Sequence, residues 1–244
     1  GSMLKGLKDI TIDTLPLEYK LQIKRTPCRV EIILKESEFK MRYELFKRLN
    51  TGGEGLSRQE IGNCIFRGLD SRYSEFIAEL SKNNIFRDIV NISVSNEEKM
   101  YYEELVLRYL TLKNKGTRYP QANIQDYMDD YLESQCTEFD EVQMETDRVM
   151  FSNIMKILEE LKDENIFKLG KRYFTTSMYD AIMLSLSDST VDLENVNINQ
   201  LGEKIVILKE SEAFNKYVGS ASSNPTSITN KVKIAKKVLL DITE

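Results

Sequence analysis

Histidine is absent from this 244-residue sequence, and its absence narrows the chemistry within reach. Without imidazole there is no Ser-His-Asp or Cys-His nucleophile, no HNH-type nuclease centre and no His-containing zinc site. Cys28, Cys64 and Cys136 lie far apart and form no C-x-x-C pair, so they read as reduced structural thiols. Carboxylates are dense in one stretch: Asp129, Asp130, Glu133, Glu138, Asp140, Glu141, Glu145 and Asp147. Paired carboxylates can hold a divalent cation or carry out acid–base chemistry. This run lacks the D-x-[DN]-x-[DN]-G pattern of a calcium loop and crosses an expected helix junction, so a solvated acidic face is the favoured reading. Residue types alone assign no catalytic side chain and no metal ligand.

Two features could contact phosphate. Residues 46–63 read FKRLNTGGEGLSRQEIGN: the end of an amphipathic helix, a glycine turn, and a capped start to the next helix. Asn50 and Gly52–Gly53 tolerate the positive φ of a helix C-terminus. Ser57 and Glu60 have capping-box spacing. A helix N-terminus attracts anions, but no Lys-Ser/Thr follows as in a P-loop, and Glu54 and Glu60 add negative charge. Taken by residues alone, the stretch is a structural turn. The second feature is the group of lysines near the C-terminal end. Lys233, Lys236 and Lys237 are the DNA-facing candidates, although with Lys231 they read more simply as the wet face of a docked helix.

The elements that would position these residues are mostly helical. Met41, Leu45, Phe46 and Leu49 recur at helical spacing before the glycine turn, and Ile61, Ile65 and Leu69 after it. Further helices are expected around Phe76–Leu80 and Ile85–Ile89. A second capping box at Ser95 and Glu98 opens a helix through Tyr102, Leu105, Tyr109 and Leu112, which Gly116 closes. Asn123 starts another, and Phe139, Val142, Val149, Ile154, Ile157 and Leu161 trace the longest. Met178–Leu186, Leu201–Leu208 and Ile228–Ile242 complete the set, and Ser220–Ser227 reads as a linker. Tyr43, Tyr101, Tyr102, Tyr109, Tyr127 and Tyr131 are expected at the core's edge with hydroxyls near water. Residues 8–34 hold the β candidates, Ile10/Ile12 and Cys28–Leu34, with a short helix beginning near Pro16 between them. The expected fold is mainly α, a multi-helix domain over 36–244 with a small N-terminal β element in 1–35.

A net charge of −5 with 30% charged residues gives no global pull toward nucleic acid or an anionic membrane. No apolar run is long enough to cross a bilayer, and no signal peptide is visible after Met3. A cytoplasmic protein is expected.

The central stretch resembles the bacterial family called domain of unknown function 262, the NTPase half of GmrSD-type DNA-restriction systems. The family pattern F-x-R-L-N-T-G-G-x-x-L-S-x-Q-E-I-R-N is matched by Phe46, Arg48, Leu49, Asn50, Thr51, Gly52, Gly53, Leu56, Ser57, Gln59, Glu60, Ile61 and Asn63. Glu103–Leu110 looks like its E-x-V-L-R-F-L segment, and weaker similarity runs through Phe174–Ser185 and the hydroxyl-rich stretch before the last helix. The resemblance implies that Arg48, Asn50, Gln59, Glu60 and Asn63 line one wall of a nucleotide site. It also implies GTP or another nucleoside triphosphate with Mg²⁺ in a complete protein, none being required by this chain alone. The family's D-G-Q-Q-R string, carried on a ParB/sulfiredoxin-like core, does not occur here, and Gly62 stands where the family has arginine. The resemblance and these departures together imply a non-catalytic helical module of an anti-phage or restriction protein, its partners the missing N-terminal core or a nuclease subunit. Half of a split NTPase and a DNA-binding adaptor are the alternatives.

Overall fold

Proline and glycine punctuate the helices much as their backbone preferences dictate. The computed structural model describes residues 11–28, 30, 41, 45–46, 48–49, 60, 70–90, 92, 100–120, 123–170, 174–219 and 221–240. The chain divides into two units, Gly1–Arg42 and Tyr43–Glu244.

In the first unit, α1 (Leu17–Arg25) begins after Pro16, and none of its residues is buried. Pro16 lacks a backbone N–H and has φ −53, so it suits a helix entrance. Ile12, expected in a strand, lies in a turn closed by the Thr14 N–H donating to the Thr11 carbonyl at 3.1 Å. The Thr14 hydroxyl also accepts from the Thr11 N–H at 3.0 Å, a side-chain bond that competes with extended pairing. Cys28 and Val30 are in irregular backbone. Among the described residues there is no strand, and the remaining β candidates lie outside them.

The second unit is helical: α2 (Ser71–Ser81), α3 (Asn84–Val90), α4 (Tyr101–Lys115), α5 (Ile124–Thr137), α6 (Glu141–Glu160), α7 (Thr176–Leu186), α8 (Ile198–Glu210), α9 (Glu212–Asn215) and α10 (Pro225–Leu239), with a 3₁₀ turn at Leu193–Asn195. Side-chain caps set many starts. Asp70, Asn123, Asp140, Thr175, Asn197 and Asn224 each accept a bond from a backbone N–H in the first turn of their helix, each such cap contributing ~1 kcal/mol. The Ser95–Glu98 box lies outside the described residues; α4 begins at Tyr101, after Met100 at φ 59. Gly116 ends α4 with φ 88 and ψ 176, a conformation open essentially to glycine alone.

Helix α7 is the centre of the core. Ser177 through Leu186 are all buried, and its main packing partner is α10, with α4 alongside. Aromatic rings continue the core outward. Phe86 meets Tyr102, Phe151 and Tyr179 at centroid distances of 5.6, 5.4 and 6.2 Å, and Tyr179 meets Phe167 at 5.3 Å. Tilted and edge-on contacts of this kind suit the ring quadrupoles.

The expected apolar face of the longest helix is right at Ile154 and Ile157 and wrong in its first half. In α6 the buried side chains are Asp147, Phe151, Ile154, Met155, Ile157 and Leu158, whereas Val142 and Val149 are 77% and 51% exposed. Ser220–Ser227 is no loose linker where described. The Ser223 carbonyl accepts from the Tyr119 hydroxyl, the Ser222 carbonyl from Lys231 Nζ at 2.8 Å, and Asn224 caps α10.

Candidate functional site

Of the residues assigned to a nucleotide wall, Arg48 is helical and exposed and Glu60 is helical and half-buried. Asn50, Gln59 and Asn63 lie outside the described residues. Met41 at the end of the first unit is helical and 62% exposed; in the second unit Leu45 and Leu49 are helical and 39% and 60% exposed. Of the DNA-facing candidates, Lys233 and Lys237 are exposed on α10, but Lys236 is half-buried and donates to Asp188 Oδ2 at 2.5 Å. That ammonium, with the Thr190 backbone N–H at 3.0 Å, holds the Asp188 carboxyl down to about 2.

The densest chemistry lies inside the helical core, outside the glycine-turn stretch and the exposed lysines. Arg108 on α4 grips Asp180 on α7 through two bonds, Nε to Oδ1 at 2.7 Å and Nη2 to Oδ2 at 2.6 Å. Both residues are buried. Two parallel N–H···O bonds from one planar guanidinium are the strongest form of this pair. Beside them Lys231 of α10 is 0% exposed, which corrects the expectation that all the late lysines face water. Its Nζ donates to Ser177 Oγ at 2.9 Å and to the Ser222 carbonyl at 2.8 Å. Among the described residues no carboxylate oxygen lies within ion-pair distance of it. Burial pushes the Lys231 ammonium down to about 8; the more distant Asp180 opposes that shift and Arg108 adds to it. Burial likewise pushes the neighbouring Tyr101 hydroxyl up to about 12.

A second polar network is centred on Asp147, which is 0% exposed and so does not belong to a solvated face. Its Oδ1 accepts from Lys113 Nζ at 2.7 Å and Gln143 Nε2 at 3.1 Å, and its Oδ2 from Asn114 Nδ2 at 2.7 Å. Asn114 also donates to the Tyr131 hydroxyl at 2.8 Å, and Tyr131 meets the Tyr73 hydroxyl at 2.7 Å. The carboxylate joins α6 to α4, and Asn114 and the two tyrosine hydroxyls carry the network on to α5 and α2. Tyr109 is tied to Ser187 Oγ at 2.7 Å and Tyr127 to the Gly116 carbonyl at 3.2 Å. The tyrosine hydroxyls at 109, 127 and 131 are therefore bonded within the protein, not placed beside water as expected.

Cys136 is buried, its thiol donating weakly to the Asp70 carbonyl at 3.6 Å and pushed up to about 11 by that burial. Cys28 is exposed, and Cys64 lies outside the described residues. Among the described residues no three His, Cys, Asp or Glu side chains are grouped to hold a metal ion, and no helix is long and apolar enough to cross a membrane.

Asp180 was findable in principle. It is a lone carboxylate in Met178–Leu186, a segment otherwise apolar or small on every side, where burial demands a partner. Lys231 stands three residues after Ile228 and four before Ala235, on the apolar stripe itself.

No protein-family model, curated protein or solved structure matches this chain.

Proposed function

We propose that this chain is a helical docking module of a bacterial DNA-restriction or anti-phage protein, with no catalysis of its own. In this reading it supplies one wall of a nucleotide site, or a surface for a partner, to a ParB/sulfiredoxin-like core of which residues 1–35 are a β/α remnant. The observation that carries it is the exposure of Leu45 and Leu49 together with Arg48, all helical, at the entrance to the glycine-turn motif. Apolar side chains at i and i+4 of a helix share one face, and such a face left in water is characteristic of a surface made to be covered. The buried ion pairs support the same reading, because their charges are spent on joining helices: Arg108 to Asp180, and Lys113 to Asp147.

The test has two arms. The chain alone, assayed with GTP, ATP and UTP in the presence of Mg²⁺, turns over none of them; robust hydrolysis overturns the reading. A separately produced core segment carrying D-G-Q-Q-R binds the chain, and Leu45→Asp with Leu49→Asp abolishes the complex while leaving the melting temperature within a few degrees. If hydrolysis appears only on mixing, the nucleotide wall is the role; if a complex forms without hydrolysis, partner docking is the role. Binding that ignores both substitutions rules out this face as the docking surface.

A further inference from the structure

Lys231 joins three parts of the fold through one ammonium group. It belongs to α10, donates to Ser177 at the start of α7, and holds the Ser222 carbonyl of the segment entering α10. The charged groups acting on it are Asp180 from α7 and Arg108 from α4. From α8, Lys204 donates to the Leu239 carbonyl at the far end of α10, and on α9 Glu212 faces solvent. On its own helix, Lys236 is committed to Asp188, and Lys233 and Lys237 face outward. The charged groups gathered around Lys231 are therefore two cations, itself included, and one carboxylate, and that carboxylate is fully engaged by Arg108.

We infer that Lys231 is a titratable latch, whose protonation loosens the docking of α10 and the Ser222–Ser223 segment, and whose deprotonation tightens it. A buried ammonium with no carboxylate in contact carries its desolvation penalty uncompensated. As a neutral amine it still donates to Ser177 and Ser222 and leaves the Arg108–Asp180 pair charge-balanced. With burial holding the amine near 8 against an ordinary 10.5, the unfolded chain binds the extra proton between those values. Stability must rise with pH across that window, and be lost as pH falls through about 8.

Hydrogen exchange on the whole chain, read by mass spectrometry and corrected for intrinsic rates, tests this. Between pH 7.5 and 9.5 the opening equilibrium of α10 peptides should fall about twentyfold, against the roughly hundredfold ceiling that one proton sets over two pH units. Peptides of α2 and α3, which are not among the main packing partners of α10, should respond less. In Lys231→Met, which folds with an apolar side chain in the same place, the α10 response should be flat. The ¹³Cε shift of Lys231 in the unsubstituted protein gives a readout that needs no variant, with a midpoint well below that of the exposed lysines. An α10 response that survives Lys231→Met, a response equal in α2 and α10, or an ordinary lysine midpoint overturns the inference.

Discussion

Replacing Asp180 by asparagine should destabilise the protein more than replacing Arg108 by methionine, although the two residues form one ion pair. Removing one partner of a buried pair costs about 3–5 kcal/mol, mostly because the other charge is stranded. In Asp180→Asn two cations are stranded, since Asp180 is the carboxylate acting on both Arg108 and Lys231. The expected loss is at the top of that range, about 5 kcal/mol. In Arg108→Met the carboxylate keeps Lys231 as a nearby counter-charge and the methionine fills apolar volume, so roughly 2 kcal/mol is expected. A further substitution fixes the cause. Holding Lys231 protonated in the core, with its value moved from 10.5 to about 8, corresponds to about 3 kcal/mol. Adding Lys231→Met to Asp180→Asn should therefore recover at least ~2 kcal/mol. Urea unfolding at pH 7, followed by circular dichroism at 222 nm, measures all three through shifts in the midpoint at constant slope. If Arg108→Met costs as much as Asp180→Asn, or if Lys231→Met brings no recovery, the two-cation reading of this core is wrong.

Asp147→Ala should lower stability by about 3 kcal/mol, since it leaves Lys113, Asn114 and Gln143 without their common acceptor; the melting temperature reports it as a drop of roughly 6–12 °C. For Asp188, held down to about 2 chiefly by Lys236, the partner is a counter-charge, where Lys231 has only burial. Its contribution is full above the ordinary carboxylate value near 4 and disappears as pH falls toward 2. The stability gap between wild type and Asp188→Asn should be about 1 kcal/mol at pH 6 after allowance for solvent, and close to zero at pH 2. Gly116→Ala forces a Cβ into a backbone conformation with φ 88 and ψ 176 and should cost about 1–3 kcal/mol in the same unfolding assay.

The helices were legible because their apolar residues repeat and their ends are signed. Asn123, Asp140 and Gly116 mark boundaries in letters as plainly as in coordinates. Which face of each helix turns inward was less legible. Along α6 Val142 and Val149 continue a hydrophobic rhythm yet point outward, because Phe151, Ile154, Met155 and Leu158 satisfy the core from a different side. Hydropathy counts atoms of one side chain and cannot see its neighbours. For the same reason Asp147 and Lys231 read as wet: each becomes tolerable inside only through partners tens of residues away in sequence, such as Asn114 and Ser177. The turn at Thr11–Thr14 defeated a strand expectation through a local hydroxyl bond that a period-two pattern does not register. The glycine-turn motif was the most conspicuous candidate site in the sequence. Within it the structure describes Arg48 as helical and exposed and Glu60 as helical and half-buried, while the ion pair of Asp180 with Arg108, 72 residues away, is set by tertiary packing.

The burial of α7 by α10 also governs vectorial synthesis. Asp180 finds Arg108 across 72 residues already made, whereas Ser177 must wait for Lys231, 54 residues further on. Until the ribosome has passed Leu239, helix α7, buried from Ser177 through Leu186, has no cover on the side that α10 will occupy, and a shortened version ending in the Ser222–Ser223 segment would expose that side permanently. Expression of such a version should call on chaperones or end in aggregates. A cut in the exposed turn after Asp188 would also leave α7 uncovered, so fragments meant to stay soluble must keep α7 and α10 together.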